Sequence, residues 1–208
     1  MSEWSADVDS GGSADGPDRD LFRPKSGPTA LLGHDPRDHG GLMTNPTDPL
    51  RQEHRQIRAR LSTLRVLADN VDEMPAAEAS RELRSALAFL EDGLLPHALA
   101  EDGVLYPAVA LAMGASQATA TMSRDHLEIA RLVGQLRHLS QRFRANATKR
   151  VRRDLRRVLY SLYAVVSLHL DKEDEVYLPL LDGYLSDESA RELFAEVEHA
   201  MHTPRRAS

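Results

Sequence analysis

The chain has 208 residues, 41% hydrophobic and 28% charged, with a formal net charge of −6. That suffices for one ordinary domain with tails, although aromatic residues make up only 5% and cysteine is absent. The lack of cysteine excludes disulfides, thiolate metal sites, iron–sulfur clusters and cysteine nucleophiles, and the acidic balance argues against nucleic acid as the main partner.

The first residues, Met-Ser-Glu-Trp-Ser-Ala-Asp, hold no apolar run, so no secretory leader is expected. No stretch approaches the roughly 20 apolar residues of a membrane span, and the expectation is a cytoplasmic protein. Residues 1–46 are rich in Gly, Pro, Asp and Ser. Such a segment cannot bury enough surface to offset its ordering entropy, so it reads as a flexible tail, with Leu42 and Met43 able to fold back locally.

From Asp48 the pattern turns helical. Leu50, His54, Ile57, Leu61, Leu64 and Leu67 or Ala68 share one stripe at spacings of three and four. Residues 70–75 form a connector in which Pro75 is placed to start the next helix. That second helix carries Leu83, Leu87, Leu90, Leu94, His97 and Glu101. It is interrupted near Pro96 and over 103–107, where Pro107 is expected to end or kink it because proline lacks the amide donor and clashes with the preceding turn. A third helix is expected over about residues 117–144, with Met122, His126, Ile129, Leu132 or Val133, Leu136 and Leu139 inward. A fourth, over about 148–184, carries Val151, Leu155, Val158, Leu162, Val165 or Val166, His169 and Glu173. Ser186-Asp187-Glu188 opens a short fifth helix to about His199. No alternating strand pattern of useful length occurs. The fold class is all-α: an up-down-up-down four-helix bundle over 47–185 made of two similar hairpins, with residues 186–208 as a short terminal helix and tail.

The two hairpins repeat each other at an offset of 72 residues. His54 answers to His126, His97 to His169 and Glu101 to Glu173, and the neighbours repeat too. Glu53-His54 matches Asp125-His126, and His97-x-x-x-Glu101-Asp102-x-Val104-x-x-Pro107 matches His169-x-x-x-Glu173-Asp174-x-Val176-x-x-Pro179. His-x-x-x-Glu on a helix places both side chains on one face, one turn apart. At about 1.5 Å per residue the four histidines reach one layer of the bundle. Four imidazoles and two carboxylates in an interior are costly unless paired or metallated, and no equal set of inward lysines or arginines is available. Two cations resolve this, each taking two imidazoles, with the two glutamates bridging.

On these residues the chain resembles hemerythrin-like proteins of the HHE cation-binding kind over roughly residues 47–185. The resemblance implies a four-helix bundle around a non-haem di-iron centre, its two iron ions oxo- or hydroxo-bridged. It assigns His54 as the first-helix ligand and His97 with Glu101 as the second-helix pair. His126 follows from the third helix, and His169 with Glu173 from the fourth. Two positions depart from the oxygen-carrying members. They place a second histidine four residues after the third-helix one, where this chain has Ala130, and their fourth-helix carboxylate is an aspartate one residue further on. One coordination position is therefore open, or filled by water, an oxo bridge or a tyrosine. Tyr177 lies on the stripe of His169 and Glu173 and has Leu105 as its repeat partner, which makes it the candidate proton or electron donor; core packing with a bonded hydroxyl is its other reading.

All-nitrogen and oxygen donors with two carboxylates suit iron better than zinc, with manganese left open. A ferritin-like site would want Glu-x-x-His pairs, and a zinc hydrolase fewer histidines. His34, His39, His199 and His202 have no matched spacing and are expected at the surface. His138 lies over three turns from His126, too far for one site. The basic run Lys149–Arg153, with Arg156 and Arg157, opposes the dipole of the helix it opens and lacks the aromatic interleaving of a nucleic-acid surface. The expected chemistry is with hydrogen peroxide, nitric oxide or dioxygen, peroxidase-like, catalase-like or protective, drawing on an unknown reductant. The alternative is a redox, iron or oxygen sensor, or an oxygen binder without turnover.

Overall fold

A computed structural model describes residues 45–202; the tail expected over 1–46 lies outside the described residues apart from Asn45 and Pro46. Helix α1 spans Asp48–Asn70. Helix α2 is composite: Ala76–Phe89, a π turn Leu90–Leu94, Leu95–Ala100, a second π turn Glu101–Leu105, and Tyr106–Met113. Helix α3 spans Ala120–Ala145, and α4 runs through Lys149–Lys172, a π turn Glu173–Tyr177 and Leu178–Tyr184. Helix α5, Asp187–His202, continues past the expected end at His199. The described residues contain no strand, and none of their helices is long and apolar enough to cross a membrane.

Proline accounts for the composite helices. Pro96, Pro107 and Pro179 each stand two residues after a π turn. In an unbroken α-helix a proline ring collides with the carbonyl four residues back. One inserted residue widens that turn and lets the helix run on. The interruptions expected near Pro96 and over 103–107 are thus these π turns, and Pro107 does not end α2. What ends α2 is Gly114, in the left-handed conformation (φ 63°), with the Ala115 amide donating to the Ala110 carbonyl at 3.0 Å.

Helices α1 and α2, α2 and α3, α3 and α4, and α4 and α1 pack as neighbours, so the four close into the expected bundle. Every stripe residue expected inward on α1 and α3 is buried. The apolar interior has two parts. A larger cluster holds Ile57, Leu61, Leu83, Leu94, Ile129, Leu136, Leu155 and Val166. A smaller one holds Leu50, Leu105, Met122, Leu178 and Leu181 and is capped by Ala190, Leu193 and Val197 of α5. His54 lies between Leu50 and Ile57 along α1, and His126 between Met122 and Ile129 along α3, so a polar layer separates the two clusters.

The ends of the helices are tied by side chains. The Thr47 amide and hydroxyl both donate to Asp182 Oδ1, at 2.9 and 2.7 Å, and Arg51 pairs with Asp182 Oδ2 at 2.6 Å. These contacts join the start of α1 to the end of α4. The basic run opening α4 has a similar task. Arg152 donates to the carbonyls of Val71 and Met74, the latter at 2.9 Å, and its guanidinium lies 4.9 Å from the centre of the Phe143 ring. Arg156 pairs with Asp72. The cations that oppose the dipole of α4 thus satisfy carbonyls and a carboxylate just beyond the end of α1. Thr148 and Ser186 cap α4 and α5 through their hydroxyls, accepting from the Val151 and Ser189 amides at 3.3 and 3.2 Å.

Candidate metal centre

The polar layer gathers all six residues singled out by the repeat: His54 from α1, His97 and Glu101 from α2, His126 from α3, and His169 and Glu173 from α4. His54, Glu101 and Glu173 are 0% exposed, and the other three imidazoles are buried as well. Each π turn that begins at a glutamate, Glu101–Leu105 and Glu173–Tyr177, follows directly on a His-x-x-x-Glu turn that keeps α spacing. The histidine and glutamate of each pair therefore point inward together.

All four imidazoles turn Nε2 toward the carboxylates. Glu101 lies at the centre. Its Oε1 is 2.8 Å from His97 Nε2 and 3.6 Å from His54 Nε2; its Oε2 is 3.3 Å from His126 Nε2 and 4.0 Å from His169 Nε2. Glu173 Oε2 faces His54 and His169, at 3.5 and 3.6 Å. The donor atoms fall into two groups of metal-binding compass, His54–His97–Glu101–Glu173 and Glu101–His126–His169, which share Glu101. His54 Nε2, His97 Nε2, both Glu101 oxygens and Glu173 Oε2 are buried without a hydrogen-bond partner. Buried polar atoms are rarely left so, and a cation between them satisfies all of them at once. The donor set therefore fits bound metal cations.

A second ring of carboxylates, whose roles the sequence reading left unassigned, stands behind the imidazoles. His54 Nδ1 faces Asp174 at 2.7 Å, His97 Nδ1 faces Glu53 at 3.2 Å, His126 Nδ1 faces Asp102 at 3.0 Å and His169 Nδ1 faces Asp125 at 3.4 Å. At His97 and His126 the contact has ion-pair length but is off the hydrogen-bond line. This outer ring repeats at the same offset, with Glu53 matching Asp125 and Asp102 matching Asp174. The signal was present in the Glu-His, Asp-His and Glu-Asp dipeptides of the repeat. A carboxylate at Nδ1 fixes that nitrogen as the N–H, leaves the Nε2 lone pair inward and raises the basicity of the imidazole.

The charges are strongly linked. Burial alone would lower His54, but Asp174, Glu101 and Glu173 outweigh it and raise it to about 9. Burial opposes charge at His97 too, where Glu101 and Glu53 push it well above its usual value, and at His126, raised by Glu101 and Asp102. Glu101 would be raised by burial, yet His97, His126, His169 and His54 hold it well below the usual carboxylate range. Glu173 is raised by burial and by Glu101, against the pull of His169, His54 and Tyr106. Without metal, His54, His97 and His126 thus favour their protonated forms beside an ionised Glu101.

The tyrosine at the centre is Tyr106. Its hydroxyl donates to Glu173 Oε1 at 2.7 Å and lies 3.3 and 3.4 Å from the Nε2 atoms of His126 and His169. Tyr177, the candidate from the sequence, is not brought into the cluster: its hydroxyl donates to the Ala118 carbonyl at 3.2 Å. The π turn is the cause. Counting on from Glu101, the next inward position falls five residues along rather than four, at Tyr106, and from Glu173 it falls at Leu178. Ala130, where an oxygen carrier has its additional histidine, is exposed. His138, His199 and His202 are exposed as well, away from the layer, while His34 and His39 lie outside the described residues.

The family model for the hemerythrin HHE cation binding domain matches residues 45–181 and, a second time, residues 117–204. The chain belongs to the hemerythrin HHE cation-binding domain family. The second match begins 72 residues after the first, the offset of the ligand repeat, so the HHE pattern restarts at the second hairpin. No curated protein and no solved structure matches the chain.

Proposed function

We propose that this HHE protein is a non-haem di-iron protein that binds or reduces a small oxidising ligand: hydrogen peroxide, nitric oxide or dioxygen. His54, His97, His126, His169, Glu101 and Glu173 hold the metals. The observation that carries the reading is the buried layer in which the Nε2 atoms of His54 and His97, both Glu101 oxygens and Glu173 Oε2 have no hydrogen-bond partner. An all-nitrogen and oxygen donor set centred on a shared carboxylate suits iron, and metal analysis separates iron from manganese.

A pair of Fe(II) ions held there would supply the two electrons that reduce a peroxidic ligand to water, to be restored by an external reductant. The chain's own residues supply the surroundings. Tyr106 keeps a proton at its hydroxyl, because burial and the Glu101 and Glu173 carboxylates raise it far above its ordinary value. Its hydroxyl donates to Glu173 and lies within 3.4 Å of the Nε2 atoms of His126 and His169. The apolar clusters on either side exclude bulk water from the layer. Glu53, one-third exposed and 3.2 Å from His97 Nδ1, links the layer to the surface. It lines a groove of about 1300 Å³ between the start of α1 and α5.

The test is anaerobic loading with Fe(II), metal analysis, and optical titration with peroxide, nitric oxide and dioxygen. Iron filling both donor groups and an absorption change with at least one ligand are expected. No iron uptake, or loaded protein inert to all three, refutes the proposal.

The packing of α5 favours a second reading, a sensor. Helix α5 rests on Leu95–Ala100 and Glu101–Leu105, the segments that carry His97 and Glu101. A change of metal state there would be felt by α5. Identical protease sensitivity of α5 in metal-free, reduced and oxidised protein would refute it.

A further inference from the structure

The repeat is faithful through the histidines, the glutamates and the outer carboxylates, and it breaks one layer further out. Asp174, behind His54, receives Arg58: Arg58 Nη2 is 2.7 Å from Asp174 Oδ2, and Nη1 is 2.7 Å from Asp171. The counterpart of Asp174 is Asp102, behind His126, and its partner is a neutral hydroxyl, Ser123 Oγ, at 2.6 Å. Asp125, behind His169, pairs with Lys172. Its counterpart Glu53, behind His97, pairs with no lysine or arginine among the described residues. The repeat positions of the two cations explain the difference: 72 residues after Arg58 stands Ala130, and 72 before Lys172 stands Ala100.

Each donor group therefore contains one histidine backed by a cation-bound carboxylate and one backed by a carboxylate without a cation. In the first group these are His54 and His97; in the second, His169 and His126. A carboxylate free to draw on the Nδ1 proton makes its imidazole a stronger donor, which favours the more oxidised metal. A cation on that carboxylate withdraws the charge and reverses the effect. Its own positive charge near the site acts in the same direction.

Resting on the di-iron reading, we propose that Arg58 and Lys172 are positioning residues that raise the reduction potential of the centre, each by neutralising the carboxylate behind one histidine of its donor group. They touch neither metal donors nor ligand, and act through Asp174 and Asp125.

The test uses the full chain loaded with iron. It compares wild type with Arg58→Met, Lys172→Met, the double variant and the conservative Arg58→Lys. Arg156→Met removes the same charge at the far end of the bundle; its partner Asp72 lies just past the end of α1, which is about 24 Å along that helix from His54. Iron per chain and the midpoint potential, from an optical redox titration, are measured for each. Iron content should stay at the wild-type level. Each Met variant at the two positions should shift the oxidised-to-reduced ratio at fixed potential about tenfold toward oxidised, a fall of about 59 mV for a one-electron step. The double variant should fall further, Arg58→Lys should recover most of the loss, and Arg156→Met should match wild type. Iron-loaded Met variants with the potential of Arg156→Met, or an Arg58→Lys as low as Arg58→Met, overturn the proposal and leave the di-iron reading standing. Wild type that takes up no iron overturns both. Lys172 is one-third exposed and Arg58 likewise, so the two positions provide independent measurements should one variant fail to fold.

Discussion

Tyr106→Phe separates the tyrosine that faces the centre from the one the sequence favoured. The Tyr106 hydroxyl makes one short hydrogen bond, 2.7 Å to Glu173 Oε1, on a carboxylate with 0% exposure. A neutral hydrogen bond contributes about 0.5–1.5 kcal/mol, and a buried acceptor stripped of its partner costs more. Glu173 Oε2 already lacks a partner, so losing the hydroxyl leaves both buried oxygens without a hydrogen bond. Leaving a buried acceptor without its partner costs about 1–3 kcal/mol, which the metal-free protein should lose in Tyr106→Phe. Tyr177→Phe removes only a part-buried bond to a backbone carbonyl and should cost about 0.5–1.5 kcal/mol. Urea unfolding of the metal-free proteins, with equal slopes, gives both numbers. Iron-loaded Tyr106→Phe should also react more slowly with peroxide, while Tyr177→Phe keeps the wild-type rate. The reasoning is refuted if Tyr177→Phe is the more destabilised of the two, or if the two react alike with peroxide.

Other outcomes follow from the same geometry. Glu101 belongs to both donor groups and Glu173 to one; Glu101→Gln should abolish metal binding, while Glu173→Gln keeps metal on the His126–His169 side, and equal losses by elemental analysis would contradict the shared role of Glu101. In metal-free protein His54 is raised from 6.5 to about 9, so the stability it contributes, roughly 3 kcal/mol, is fully present below about pH 6.5 and lost as pH rises through about 9. Urea midpoints at pH 6, 8 and 10 should fall in that order, and a flat profile would remove His54 from the account. Leu136 is 0% exposed in the larger apolar cluster; Leu136→Ala should cost about 2–5 kcal/mol, read by urea unfolding, and leave the iron content unchanged.

The fold was legible because its signals are periodic and local. The α1 and α3 stripes needed only a 3.6-residue period, and all their expected members are buried. The six residues of the polar layer were legible for another reason. The 72-residue repeat turned isolated histidines, each ordinary by itself, into matched pairs at matched heights. The outer carboxylates were equally visible in the sequence, as repeated acidic neighbours. Their positions showed; their partners did not. Glu53 serves His97 on the next helix, and Asp174 reaches across to His54, so adjacency in the chain says nothing about which imidazole each carboxylate holds.

Tyr177 marks where a periodic reading must fail. A constant period carries His169 to Glu173 to Tyr177 along one stripe, and every step of that extrapolation is sound for an α-helix. Pro179 invalidates it. The ring forces an extra residue into the turn before it, and everything beyond rotates by one position relative to everything ahead. The same rotation beyond Glu101 carries Leu105 out of register and Tyr106 into it. Because both halves contain the proline, the repeat stays in phase with itself and gives no warning of the slip. The signal was nevertheless present: a proline six residues after each glutamate, in a helix that must continue to keep its apolar face covered. Reading that proline as a widened turn rather than as a stop would have moved the candidate from Tyr177 and its twin Leu105 to Tyr106 and its twin Leu178. Only one half of the repeat then offers a hydroxyl at that position, and it stands between Glu173 of one donor group and His126 and His169 of the other.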